Sequence, residues 1–163
     1  MLSMLLPLSN VSRGALVAYV HYLGIILCFG ALMFERIILK INLTKNETLS
    51  LIIADVIYGI AGIAILVTGI LRVKYYGQGG AFYTSNPIFW VKISLYVLVG
   101  LISLYPTTTY ILWAIPLRKN KLPVISENLV NRFKMIITTE LIVFAVIPFF
   151  ATLMSRGIGL IQN

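Results

Sequence analysis

The sequence predicts an all-α fold: a four-helix transmembrane bundle, up-down-up-down, with both termini on the same, non-cytoplasmic side. Three observations predict it. Hydrophobic residues fill 60% of the 163 positions and charged residues only 11%, whereas a soluble domain of this size carries roughly 25% charged residues. Mean hydropathy is +0.97, and the apolar residues fall in continuous runs of helix length, not in the alternating segments of about ten residues that build a membrane barrel. At about 20 to 25 residues per span plus loops, the chain has room for about four spans, read as one integral membrane domain over residues 1–163.

Composition also excludes functions. The formal charge of +8 would point to nucleic acid in a soluble protein. Here the basic residues sit at helix ends, where the lipid bilayer and its anionic lipids account for them, so no nucleic-acid partner is expected. A lone Cys28 rules out an internal disulfide and a cysteine-rich metal site, and a lone His21 rules out a His-rich zinc or di-iron site within one chain. No nucleophile with its base, phosphate loop or zinc motif is present.

The first thirteen residues, MLSMLLPLSNVSR, have no basic residue before their apolar run and no small-residue cleavage site. They read as a short interfacial lead-in and not as a cleaved signal. The first span covers about 14–39. At helical spacing Gly14, Ala18, His21, Gly24, Cys28, Ala31 and Glu35 form one small and polar seam, while Leu16, Leu23, Ile26, Phe29 and Phe34 occupy the remaining faces. Thr48 is the expected N-cap of the second span, about 49–73. There Asp55, Gly59, Gly62, Leu66 and Gly69 share a seam that predicts close approach to the first helix.

The segment RVKYYGQGGAFYTSNP, rich in glycine and aromatic rings, suits the headgroup zone. Pro87 fits the first turn of the third span, about 88–114. Trp90 and Lys92 lie near the start of that span, and Pro106 breaks its hydrogen-bond ladder. Thr107, Thr108 and Thr109 are expected to satisfy the freed carbonyl. A basic, proline-bounded loop leads to the fourth span, about 129–155, which carries Arg132 and Lys134 at its entrance, Glu140 inside and Pro148 as a kink. Gly157 is its expected stop.

Lysine and arginine count places loops one and three in the cytoplasm. The acids are more telling. Glu35, Glu47, Asp55, Glu127 and Glu140 all lie on that side or in the adjoining helix halves, and the opposite half has no carboxylate. Glu35, Arg36, Asp55, Arg132 and Glu140 are therefore expected to form a structural charge cluster, the acids pairing with Arg36, Arg132 or Lys134. At the other end His21, about seven residues into its helix and so ~10 Å deep, converges with Arg72, Trp90 and Lys92. These four are the candidate cofactor-binding residues, with His21 the candidate metal ligand. An anionic ligand or lipid phosphate would satisfy the set.

The motifs H-x-x-G-x-x-x-x-F-G at His21, E-R at Glu35, T-G-I-L-R at Thr68 and N-P-x-F-W-x-K at Asn86 resemble a small bacterial family of integral membrane proteins of unknown function, common in cyanobacteria and proteobacteria. That resemblance implies a multi-pass protein of the bacterial inner (cytoplasmic) or thylakoid membrane. A weaker resemblance is to the four-helix haem-associated protoporphyrinogen oxidase family and the copper-resistance D proteins. In that comparison His21, Gly24, Arg36, Trp90 and Lys92 fill the family's places, and haem b is the implied cofactor. The arginine is shifted by about one position and the family's second histidines are absent. Ligation by two histidines is thus impossible within one chain, leaving His–Met, His–Lys or five-coordinate haem.

Three functional readings follow. The chain binds haem or a related anionic tetrapyrrole at the outer mouth. Alternatively it is a non-catalytic subunit or assembly factor, in a homo-oligomer or larger membrane complex. The third is a small transporter or proton pathway through Glu140 and Asp55.

Overall fold

Local signals open and close each span. The computed structural model describes residues 9–159. It contains α1 (Asn10–Ile38), α2 (Lys45–Leu71), a π-helical turn (Arg72–Tyr76), a short α3 (Gly80–Thr84), α4 (Pro87–Arg118) and α5 (Glu127–Ser155). Most of the interfacial lead-in expected at the N-terminus lies outside the described residues. Ser9 caps α1, which starts four residues before the expected position, its side chain accepting from the Ser12 N–H. Thr44, not Thr48, caps α2. It forms a reciprocal capping box with Glu47, whose side chain accepts from the Thr44 N–H. The expected cap sat just before the first apolar residue, Leu49, but the helix starts one polar turn earlier.

Asn86 caps α4 by accepting from the Ile88 N–H, with Pro87 in the first turn. α5 ends as expected at Gly157. The Gly157 N–H donates to the Met154 carbonyl, the Ile158 N–H to the Leu153 carbonyl, and Gly157 adopts φ 78°, the two-bond cap that a left-handed glycine permits.

Both internal prolines of α4 are absorbed without ending it, so the helix reaches Arg118 and not 114. The threonines act differently from expectation. Thr108 and Thr109 donate to the carbonyls of Leu104 and Tyr105, while Thr107 leaves its helix and donates to Asp55. The segment after α2, expected as a headgroup-zone connection, continues as helix through Tyr76 before α3.

The four long helices form a ring in which α1 packs on α2 and α5, and α4 packs on α2 and α5. Cross-contacts fix the direction of each. Gly14 near the start of α1 meets Tyr76 beyond α2, and Asn86 before α4 donates to the Ile158 carbonyl beyond α5. At the opposite end Lys45 donates to Asn120, across loops one and three. Both described chain ends therefore lie at one end of the bundle. Each long helix is apolar and long enough to cross a membrane. Large hydrophobic side chains such as Ile26, Ile63, Leu101, Leu112 and Ile142 point outward, an arrangement that lipid stabilises and water would not.

The first-helix seam packs as expected: Gly24, Cys28, Ala31, Leu32 and Glu35 are its buried residues. Gly24 is the tightest point, where an added Cβ would fall 2.8 Å from Ile65 Cγ1 and 3.2 Å from the Ala61 carbonyl. The glycines of α2 do not form one seam. Gly59 faces open space, Gly62 makes room for Tyr96, and Gly69 lies against the ring of His21. Close helix approach thus rests on the glycine of α1, because Ala61 and Ile65 supply the facing surface of α2.

Candidate functional site

At the end that holds Asn10 and Ser155, α1 and α2 hold His21. Its Nδ1 is 2.9 Å from Thr68 Oγ1, and Gly69 leaves room for the ring. The single hydroxyl proton of Thr68 is committed to the carbonyl of Ala64, one turn earlier. Thr68 must therefore accept, His21 Nδ1–H donates, and Nε2 keeps its lone pair. Because α1 starts at Asn10, eleven residues before His21, the imidazole lies ~16 Å along the helix, deeper than the sequence reading placed it.

Arg72 opens the π-helical turn. Its guanidinium sits 5.3 Å from the centroid of the Tyr22 ring and donates to the Tyr22 hydroxyl at 3.5 Å, a cation–π contact. Lys92, half-buried on α4, lies within electrostatic reach of both Arg72 and His21. Trp90 does not join them. It is 54% exposed, and its Nε1–H donates to the Thr84 carbonyl, bracing α3 against α4. An open recess of about 480 Å³ at this end is lined by Asn10, Val11, Tyr75, Tyr76 and Gly77. Below it a shallow apolar groove of about 180 Å³ runs between Val20, Gly24 and Leu27 of α1 and Ile57, Ala61 and Ala64 of α2.

The expected charge cluster is corrected. Glu35, Asp55 and Glu140 do come together in the core, but none pairs with a cation. The only ion pair among the described residues is Lys40–Glu47, 2.6 Å, at the surface of loop one. Arg36 donates to Thr138, Arg132 is exposed, and Asp55 accepts from Thr107 at 2.7 Å. The reason is geometric. Arg36 follows Glu35 on the helix and so points about 100° away from it, and Arg132 lies two turns from Glu140 on an outward face.

The family model described as "Predicted membrane protein (DUF2214)" matches residues 13–159. The chain belongs to this family. The matched region takes in α2, α4 and α5 whole, α1 from residue 13, and both charged regions, and the family description gives a membrane protein and no activity. Comparisons with the curated proteins and with the solved structures give no match.

Sequence reasoning missed Thr68, Tyr22 and Tyr110. Thr68 and Arg72 are four residues apart and so share a helix face, a signal present in T-G-I-L-R. The burial of Tyr110 had no such signal.

Proposed function

We propose that the chain binds an anionic amphiphile at the His21 mouth, with haem b or a related anionic tetrapyrrole as the ligand. With loops one and three in the cytoplasm, that mouth opens on the opposite side of the membrane. The observation that carries the reading is the relay Ala64–Thr68–His21. It leaves Nε2 as a lone-pair donor with the ring oriented through Nδ1, the arrangement a metal-ligating histidine needs. Arg72 and Lys92 supply positive charge for carboxylates in a half of the bundle that contains no acidic residue. The donor set therefore fits such a ligand chemically. Bound haem would supply one-electron redox chemistry. The chain's own part is to orient His21, offer two cations and present the apolar groove between α1 and α2.

The test is haem titration of the full chain in mild detergent, with reduced-minus-oxidised spectra and pyridine haemochrome analysis. A Soret shift is expected that His21→Ala abolishes. Arg72→Ala and Lys92→Ala should each weaken binding about ten- to a hundredfold, since a charge-assisted contact contributes about 1.5–3 kcal/mol and ~1.4 kcal/mol is a factor of ten. Protein from haem-replete cells with no Soret band, and no His21-dependent change on adding haem, would remove the reading. A functional His21→Ala, Lys92→Ala double variant that still co-purifies with larger partners would replace it with a non-catalytic subunit.

A further inference from the structure

The three core carboxyls lie outside the mouth and outside the reading just given. Glu35 comes from α1, Asp55 from α2 and Glu140 from α5, and α4 adds Thr107 and Tyr110. Glu140 and Tyr110 are 0% exposed, and Glu35 is 2% exposed. Both Glu140 carboxyl oxygens, Glu35 Oε1 and the Tyr110 hydroxyl make no hydrogen bond. Four unpartnered polar atoms in one core are more than a helical bundle tolerates without a ligand, because each costs about 1–3 kcal/mol when left unsatisfied.

The groups that face Glu140 are Cys28 and Glu35 of α1, Asp55 and Tyr58 of α2, and Tyr110 of α4. None of them carries positive charge. A membrane interior does not hold up to three negative charges without compensation, so a cation must come from outside the side chains. Among the described residues no three ligating side chains converge on a metal position. The proton is the cation that needs no such convergence.

We propose that Glu35, Asp55 and Glu140 form a proton-binding site in the core of the bundle, with Glu140 as its most completely buried group. A proton on a carboxyl turns an acceptor into a donor, which lets the acids and the Tyr110 hydroxyl satisfy one another. Arg36, the neighbour of Glu35, donates to Thr138, two residues before Glu140, so the carboxyls of α1 and α5 lie at about one level of the bundle.

The test is infrared spectroscopy of the full chain in nanodiscs. The wild type should show the carbonyl stretch of protonated carboxyls at neutral pH, shifting in D2O. Glu140→Gln, the same shape without the proton, should lose one such component while keeping its melting temperature. Asp55→Asn, which retains an acceptor for Thr107, should lose a different component and serves as the second variant if Glu140→Gln does not fold. A wild-type spectrum with no protonated carboxyl overturns the proposal, as does a band unchanged in both variants. So would a melting temperature that rises with sodium or calcium in the wild type but not in Glu140→Gln, since the cation would then be a metal ion. Haem binding enters none of these readouts.

Discussion

Among the described residues, His21, Arg72 and Lys92 at one end of the bundle meet no carboxylate, and Glu35, Asp55 and Glu140 in the core towards the other meet no cation. The two groups cannot neutralise each other. His21 and Glu35 are on the same helix, fourteen residues apart, which is ~21 Å at 1.5 Å per residue. The difference between them lies in access. Arg72 already rests on Tyr22, and Lys92 is half-buried near the start of α4; both stems can reach the headgroup layer. The acids are sealed by Leu32, Phe133, Ile137 and their neighbours. A cationic mouth with an outlet can exchange lipid for another anion, whereas a sealed acidic core takes up only what is small enough to enter.

Gly24 couples the two regions, because it sets the distance between α1, which carries both His21 and Glu35, and α2, which carries both Thr68 and Asp55. Gly24→Leu should have the largest effect on stability. The new side chain must displace Ile65 and press on the Ala61 carbonyl, a cost of about 1–3 kcal/mol or more. Both the haem shift and the protonated-carboxyl band should weaken together. Gly59→Ala, facing open space on α2, is the control and should gain about 0.5–1 kcal/mol. Unfolding in mixed detergent measures both. If Gly24→Leu spared one region and not the other, the two would not share this hinge of packing.

A smaller effect, opposite in sign at the two ends, separates them. Glu35→Leu replaces a buried ionisable side chain by an apolar one of similar size and should stabilise by about 1–3 kcal/mol. His21→Leu removes a satisfied hydrogen bond and should destabilise by about 0.5–1.5 kcal/mol; Thr68 keeps its bond to Ala64, so no hydroxyl is stranded. Equal signs at the two positions would mean that the contrast in satisfaction is not what distinguishes the regions.

The architecture was legible because its signals are local or periodic: four long apolar runs, the seam from Gly24 to Glu35, Pro87 at a helix start and Gly157 at a stop. The gathering of His21, Arg72 and Lys92 followed from depth along antiparallel helices, which rise per residue alone predicts. What failed was rotation about each helix axis. Trp90 shares its turn with Lys92 yet faces outward to Thr84, and Arg36 is near the acids in depth but not in direction. Gly59 failed in the same way. Its spacing matched Gly62 and Gly69, but the side of α2 it occupies has no neighbour. Depth is a property of one helix, whereas facing depends on how four of them pack.

Among the described residues Glu47 is the one carboxylate with a cation, Lys40 at 2.6 Å, and it also accepts from the Thr44 backbone and hydroxyl. Its surroundings are water, so Lys40 contributes little, and the cap is what matters. Thr44→Ala should cost about 1 kcal/mol, unchanged by salt, because it strands backbone N–H groups of the first turn of α2. Lys40→Ala should have a smaller effect that fades as ionic strength rises. The reverse order, with Lys40 dominant and salt-sensitive, would show that paired charge stabilises this end. The absence of cations from the Glu140 core would then have to be explained by something other than the low worth of such pairs.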